Sequence, residues 1–406
     1  MPIPGTAPTH ARLRRTATVV IAAIIALAGL VVGSETLRAA GDAVESPGRA
    51  SFSRAPDPLP PGAPGTIVRD EELIGAPLFA RGWRLMYHST DLHGADVLST
   101  GVLIAPLSPA PPGGRIVVSW AHPTTGSAMA CAPSLQDDPF LLIEGLRTLL
   151  DRGYAVVATD YTGMGVEGPD SYLVGATEAH NVLDAVRAAQ HVEDAHVGNR
   201  VVLWGHSQGG QAVLRAAEEA ADYAPELRID AVAAAAPAAD LGRLVSAHLD
   251  DISGVTIGSY AFAAYAQVYA DVPGTQLESV LTPQAVAISS RMNALCLLSD
   301  LGELHRIGQP LVGRFFRIDP TTAEPWKTLL QENSAGGRAF DAPLFLAQGS
   351  QDTLVIPADT RAFAVHERAL GIAVTYDTIP LADHGTVAYL ALPALTTWLD
   401  EVIPAN

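Results

Sequence analysis

Residues 205–209 read Gly-His-Ser-Gln-Gly and lie between two segments of different character. The apolar run 201–204 precedes them and predicts a buried strand, and the stretch 211–221 that follows is helix-like. A serine flanked by glycines between a strand and a helix is typical of a nucleophile elbow, in which the hydroxyl projects above the sheet edge. Glycines are needed because a side chain at either position would collide with neighbouring backbone. Ser207 is therefore the candidate nucleophile.

A serine hydroxyl needs an adjacent base, which in this arrangement comes last in the chain order nucleophile, acid, histidine. His384 directly follows the last predicted strand, residues 374–379, and so leaves the sheet at the edge where a base must meet Ser207. The other downstream histidines fall within a predicted helix or the long insertion: His248, His305 and His366. We predict His384 as the base, and the alternative is an ordinary loop histidine.

The acid that would orient the histidine is predicted from the same edge of the sheet. Asp352 follows the predicted strand 343–347, one strand before His384. Asp341 precedes that strand and would lie at the wrong end, and Asp383 is too close to His384 in sequence for its side chain to fold back readily. We therefore predict Asp352 as the third member, and the alternative is a turn residue.

A tetrahedral intermediate also needs two hydrogen-bond donors for its oxyanion. The backbone N–H of Gln208, directly after the candidate nucleophile, is one candidate. The second is expected in the loop after the predicted strand 115–120, from Thr124 or Thr125.

Strands and helices alternate along most of the chain, which predicts an α/β fold with a mostly parallel central sheet and helices on both faces. The alternation predicts a core of residues 67–237 and 338–406. Residues 238–337 break it with a mainly helical pattern and are interpreted as a cap (lid) insertion. Further strands and helices are predicted at these ranges: strands 83–89, 97–104, 154–159 and 230–236, and helices 139–152, 179–189, 357–370 and 395–402.

The aromatic residues Phe262, Tyr265 and Tyr269 share one helical face within the predicted cap. Such a stripe either lines a tunnel that binds an acyl chain or forms part of an ordinary core.

The N-terminal residues predict export. Three arginines before residue 16 precede the uncharged stretch 16–34, so residues 1–40 are interpreted as a signal peptide or an N-terminal membrane anchor. Residues 41–66 are rich in Pro, Gly and Ser and predict a linker or extended arm. The formal net charge of −18 disfavours nucleic acid and anionic lipid as partners. Membrane contact is expected only through the N-terminal segment, if it is not cleaved.

Cys131 and Cys296 are too few for a disulfide scaffold or a zinc cluster. In an exported protein the pair predicts one disulfide, and two buried free thiols are the alternative. Lys327 is the only lysine, which argues against Schiff-base chemistry.

From about residue 60 to the C-terminus the chain resembles the secretory lipase family, the fungal lipase A type of α/β-hydrolase. The likeness rests on several short motifs: Pro-Pro-Gly at 60–62, Thr-Thr-Gly at 124–126, Cys-Ala-Pro-Ser at 131–134, Asp-Tyr-Thr-Gly-Met-Gly at 160–165, the elbow at 205–209, Gln-Asp at 351–352 and Asp-His at 383–384.

The resemblance implies specific roles for residues of this chain. It implies a triad of Ser207, Asp352 and His384 and an oxyanion role for Thr125. It also implies a disulfide between the cap and the core that joins the two cysteines. The implied activity is hydrolysis of carboxylic esters, including triacylglycerols, with no cofactor and no metal.

Together these observations predict a secreted serine hydrolase that cleaves small-molecule or lipid esters with apolar acyl groups. A serine peptidase or acyltransferase on the same fold is one alternative. A non-catalytic surface binding protein built on a hydrolase scaffold is another.

Overall fold

The structure, a computed structural model, describes residue 49 and residues 51–403. The predicted signal peptide or anchor, residues 1–40, therefore lies outside the described part of the chain. No helix among the described residues is long and apolar enough to span a lipid bilayer. The described residues from Phe52 onward belong to one compact unit.

A nine-stranded sheet runs through the described chain in the order β1-β2-β3-β5-β4-β6-β7-β8-β9. Strands β1 to β3 pair antiparallel, β3 also pairs antiparallel with β5, and all pairs from β5 to β9 are parallel. The strands are β1 (Ile67–Glu72), β2 (Ala80–Thr90), β3 (Asp96–Pro106), β4 (Arg115–Ala121), β5 (Ala155–Thr159), β6 (Val197–His206), β7 (Arg228–Ala235), β8 (Leu344–Gly349) and β9 (Val374–Ile379).

Helices cover the sheet and form most of a long connection between β7 and β8. They are α1 (Leu146–Asp151), α2 (Gly175–Gln190), α3 (Gln208–Tyr223), α4 (Leu241–Ala247), α5 (Ile252–Val268), α6 (Leu277–Val280), α7 (Pro283–Asn293), α8 (Leu301–Gly308), α9 (Trp326–Asn333), α10 (Pro357–Ala369) and α11 (Val387–Val402). Short 3-10 helices occur at Met129–Cys131, Pro133–Leu135, Glu193–Ala195 and Gln309–Leu311.

The central strands contact helices on both faces of the sheet, which is why polar and apolar residues do not alternate along them. In β6, Val202 and Trp204 belong to the core on one face of the sheet, together with residues of α11 and of the helices between β7 and β8. Val201 and Leu203 belong to the core on the other face, together with residues of α2 and α3. The predicted α/β fold with helices on both faces is therefore confirmed.

One local prediction differs from the structure, and one strand was not predicted. The helix predicted over 139–152 is wrong in its first half, because Gly145 adopts φ of 89° and the helix begins only at residue 146. Strand β1 was not predicted because its sequence, Ile-Val-Arg-Asp-Glu-Glu, lacks an apolar run. It forms at the sheet edge by pairing with β2 and stays partly exposed.

Residues 238–337 contain the helices α4 to α9 and, within the described chain, one isolated bridge between Leu281 and Phe316. A disulfide between Cys131 and Cys296 ties this helical insertion to the loop that follows β4. The predicted disulfide is confirmed.

The segment predicted as a linker or extended arm is fixed to the sheet at its described end. Phe52 is buried against Met86 and Leu98. Farther along, the Gly65 N–H donates to the carbonyl of His88 at 2.7 Å, and the His88 N–H donates to the carbonyl of Thr66 at 3.0 Å.

Candidate active site

Ser207 stands at the sharp turn between β6 and α3, with φ of 57° and ψ of −116°. Residues other than glycine rarely adopt positive φ, so the surrounding structure must hold this turn. A Cβ atom at Gly205 would lie 2.2 Å from the carbonyl oxygen of Gly209, and one at Gly209 would lie 1.9 Å from that of Ala121. Both glycines are therefore required by close backbone approach, and the elbow predicted from the sequence is present.

Three side chains distant in sequence are joined by hydrogen bonds at the carboxyl edge of the sheet. The hydroxyl of Ser207 lies 2.8 Å from Nε2 of His384. Nδ1 of the same imidazole lies 2.8 Å from Oδ2 of Asp352. Asp352 follows β8 and His384 follows β9, so adjacent parallel strands bring the two loops together. The structure thus assembles the three residues predicted as a triad.

The carboxylate of Asp352 is completely buried and accepts hydrogen bonds on both oxygens. Oδ1 accepts from the backbone N–H groups of Leu354 at 2.9 Å and Val355 at 3.0 Å. Oδ2 accepts from Nε2 of Gln348 at 3.1 Å, in addition to the imidazole of His384. A buried carboxylate with this many donors is fixed in orientation.

His206, the residue before the candidate nucleophile, supports the loop that carries His384. Its Nε2 lies 2.9 Å from the backbone carbonyl of His384, so this nitrogen donates. Its Nδ1 lies 3.2 Å from a carboxylate oxygen of the buried Glu144. The sequence interpretation missed this pair. Its only sequence signal is a single acid within the otherwise apolar stretch 139–146.

The candidate oxyanion donors come from two segments, the start of α3 and the loop after β4. Gln208 is the first residue of α3, where backbone N–H groups have no partner within the helix. Thr124 lines the cavity beside Ser207, and its hydroxyl lies 2.8 Å from the hydroxyl of Tyr172. Thr125 does not line that cavity within the described chain, but its hydroxyl is buried without a hydrogen-bond partner there.

The buried acid Glu178 contacts the residue that follows the candidate nucleophile. Oε1 of Glu178 accepts from Nε2 of Gln208 at 2.7 Å and from the backbone N–H of Leu173 at 2.8 Å. Burial raises the pKa of Glu178 to about 8, because the charged form loses its hydration, although both hydrogen bonds oppose the shift. This residue was not predicted, and it fixes the side chain of a candidate oxyanion residue.

A cavity of about 80 Å³ opens beside Ser207 and His384. Its walls come from the loop after β4, from the segment before α2, from the insertion and from the loop after β8. Apart from the polar groups named above, the walls are mainly apolar: Leu173, Leu244, Ile257, Leu297, Leu354 and Val355.

The aromatic stripe predicted as a possible acyl tunnel lies elsewhere. Phe262 is buried against Trp326, with ring centroids 5.2 Å apart. The hydroxyl of Tyr265 donates to the carbonyl of Leu173 at 3.0 Å, and that of Tyr269 accepts from Asn333 at 2.7 Å. None of the three aromatic side chains is among the described residues that line the cavity, so the structure places them in the core.

The disulfide holds one wall of the cavity. The residue after Cys296, Leu297, lines the cavity, and its N–H donates to the carbonyl of Thr125 at 2.8 Å. The loop that carries the candidate oxyanion threonines and the insertion are therefore joined by one covalent bond and one backbone hydrogen bond.

The fold and the geometry at the elbow define an α/β-hydrolase. The secretory lipase family matches residues 134–404, which is well over half of the chain. The chain therefore belongs to the secretory lipase family, whose membership indicates hydrolysis of carboxylic esters.

Two relatives extend over most of the sequence. A probable inactive lipase of Mycobacterium tuberculosis is 25% identical over 371 residues, which cover 83% of this chain and 78% of the relative. Lipase A of Moesziomyces aphidis is 23% identical over 407 residues, which cover 93% and 84% of the respective chains.

Solved structures share the fold. Candida antarctica lipase A in its closed state superimposes with a TM-score of 0.70 and 16% identity, over 87% of this chain and 86% of that one. The rice cell wall degrading esterase of Xanthomonas oryzae gives a TM-score of 0.69 and 20% identity, over 84% and 98%.

Proposed function

We propose that this chain is a secreted serine carboxylester hydrolase that cleaves esters with apolar acyl groups, glycerides included, through an acyl-serine intermediate. The single observation that carries the proposal is the continuous hydrogen-bond chain from Ser207 through His384 to Asp352. An alcohol becomes nucleophilic when a neighbouring imidazole can remove its proton.

The proposed reaction has two halves. In the first, Nε2 of His384 takes the proton of Ser207 while Oγ attacks the ester carbonyl carbon. His384 then gives this proton to the departing alcohol oxygen, and the acyl group stays on Ser207. In the second half His384 takes a proton from water as the water oxygen attacks the acyl carbonyl carbon. His384 then returns this proton to Oγ of Ser207 as the bond between Oγ and the acyl carbon breaks, and the carboxylic acid leaves. Asp352 keeps a proton on Nδ1 throughout, so that Nε2 can accept.

The developing negative charge on the carbonyl oxygen needs donors that are already in place. The N–H of Gln208, at the start of α3, is the first proposed donor. The loop after β4 supplies the second. The hydroxyl of Thr125 is buried and has no hydrogen-bond partner among the described residues, which supports that residue. Thr124 is the second choice, since its hydroxyl is already bonded to Tyr172.

Two further parts of the proposal concern the cap and the location. Leu244, Ile257 and Leu297 of the insertion form walls of the cavity, which supports a cap role for residues 238–337. A disulfide is typical of oxidising compartments, and the family is described as secretory. Both observations support export, and we propose residues 1–40 as the signal peptide or, if retained, as a membrane anchor.

Replacement of Ser207 by alanine tests the proposed nucleophile. The Ser207→Ala variant should lose about a thousandfold or more of kcat/KM for p-nitrophenyl acetate, because no acyl-serine can form. A fluorophosphonate probe should label the wild-type chain once and leave this variant unlabelled. The exposed Ser108→Ala variant is the matched control and should keep wild-type activity and labelling.

Other outcomes would select the alternatives. Full ester hydrolysis by Ser207→Ala would disprove the nucleophile. Absence of both labelling and hydrolysis in the wild-type chain would favour a non-catalytic binding protein. Faster cleavage of a p-nitroanilide than of the matching ester would favour a peptidase. Formation of new esters from an added alcohol in preference to free acid would favour an acyltransferase.

A further inference from the structure

The cavity beside Ser207 is small enough to limit the length of an acyl chain. A dry cavity of about 150 Å³ binds benzene, which corresponds to roughly 25 Å³ for each carbon atom. The cavity here is about 80 Å³ and so has room for roughly three carbon atoms. We infer that the enzyme acts on esters of short-chain acids, of about two to four carbons, and that Leu244 sets this limit. The inference rests on the proposed function above and names its substrate class.

The direction of the acyl group follows from the proton transfers. The departing alcohol oxygen must receive its proton from His384, so the alcohol lies beside this imidazole. The His384 side chain keeps 18% of its surface exposed to solvent. The alcohol therefore lies toward solvent, where its size is little constrained. The acyl group then lies in the cavity, against its apolar walls.

Several residues that line the cavity are held in place by hydrogen bonds of their backbone groups. A longer acyl chain therefore cannot easily displace them. Leu173 has its N–H bonded to Glu178 and its carbonyl bonded to Tyr265. Leu354 and Val355 have their N–H groups bonded to the carboxylate of Asp352. Displacing these residues would break hydrogen bonds of buried groups.

Leu244 lies on helix α4, where its N–H donates to the carbonyl of Asp240 at 3.0 Å, and it lines two cavities. This residue of α4 separates the cavity from a second cavity of about 20 Å³. The two cavities share the lining residues Ala238, Leu244, Leu354 and Val355. Beyond the partition lie Thr360 and Phe363 of α10. Truncation of Leu244 to alanine removes three carbon atoms, joins the cavities and roughly doubles the available space.

A series of p-nitrophenyl esters from acetate to decanoate, each below its solubility limit, tests the inference. For the wild-type chain we expect kcat/KM to be highest between acetate and butyrate and at least tenfold lower for octanoate. Leu244→Ala should raise the ratio of octanoate to butyrate at least tenfold. Because both esters are measured on one preparation, this ratio does not depend on the folded fraction.

Leu241→Ala is the matched control, because it removes the same atoms from the same helix. Leu241 is 1% exposed and lines neither cavity, so its variant should lose stability without a change in the ratio. Leu244→Val removes one carbon atom and should shift the ratio in the same direction by a few-fold. It provides the test if the alanine variant does not fold.

Each result of this series decides a different point. Equal hydrolysis of octanoate and butyrate by the wild-type chain would overturn the short-chain inference and leave the proposed function standing. An unchanged ratio in both Leu244 variants would overturn the role of Leu244. Failure to hydrolyse or to react with a fluorophosphonate at any chain length would refute the proposed function and, with it, this inference.

Discussion

Asp352→Asn is the substitution whose effect the structure defines most fully. In the wild-type chain Oδ2 accepts from His384 and Gln348, and Oδ1 accepts from two backbone N–H groups. The amide nitrogen of asparagine cannot accept, so it can replace either oxygen only by leaving donors unpaired. A buried donor without an acceptor costs about 1–3 kcal/mol.

The two possible orientations of the asparagine differ in cost. With the amide nitrogen at the Oδ1 position, two backbone N–H groups lose their acceptor, at a cost of about 2–6 kcal/mol. At the Oδ2 position, His384 can move its proton from Nδ1 to Nε2 and accept from the amide. Nε2 of Gln348 keeps the carbonyls of Gly349 and Val355 as acceptors, so the donor left unpaired is the asparagine amide hydrogen that faces Gln348. That costs about 1–3 kcal/mol. The cheaper orientation therefore places a proton on the nitrogen that must accept from Ser207.

We expect Asp352→Asn to lower kcat/KM for p-nitrophenyl acetate by about ten-thousandfold, the effect of the same tautomer change in a serine protease. The unfolding free energy in urea should fall by about 1–3 kcal/mol. The control is Asp383→Asn, which alters an exposed carboxylate bonded to the hydroxyl of Thr386 and should change the rate no more than a few-fold. If Asp352→Asn kept a tenth of the wild-type rate, the assignment of the acid would be wrong.

Two other predictions concern stability. The Cys131–Cys296 bridge closes a loop of 165 residues, so by the chain-entropy model the double Cys→Ala variant should lose about 5 kcal/mol of unfolding free energy, measured by urea denaturation; an unchanged midpoint would contradict this. The pKa of Glu178 is raised to about 8, so between its unfolded value of 4.5 and 8 the folded state holds more protons than the unfolded state. Stability should therefore fall as pH rises through this window, and Glu178→Gln should lessen the fall. Wild-type and variant urea midpoints that run parallel from pH 5 to pH 8 would count against a raised pKa.

Local sequence patterns determined the elements that carry the site. The strand–serine–helix signal around Ser207 lies within about twenty residues, and its glycines are required by backbone contacts at the turn itself. Asp352 and His384 could be chosen because each follows a predicted strand, and the carboxyl ends of parallel strands meet at one edge of the sheet. These arguments need only the chain order and the direction of the strands.

Other contacts between distant residues were decided by the tertiary structure alone. His206 meets Glu144, 62 positions away, and no local pattern specifies such a partner. The stripe of Phe262, Tyr265 and Tyr269 has the same helical spacing whether it lines a tunnel or packs in a core. Its place depends on which helix lies against it.

The same reason applies to the size of the cavity. Leu244 is one apolar residue among many in the insertion. Nothing in its sequence position indicates that it lies between two cavities. The volume beside Ser207 is what remains after side chains from several separate elements have packed together. A sequence therefore determines which groups can react, whereas the space left for the substrate exists only once the distant elements are assembled.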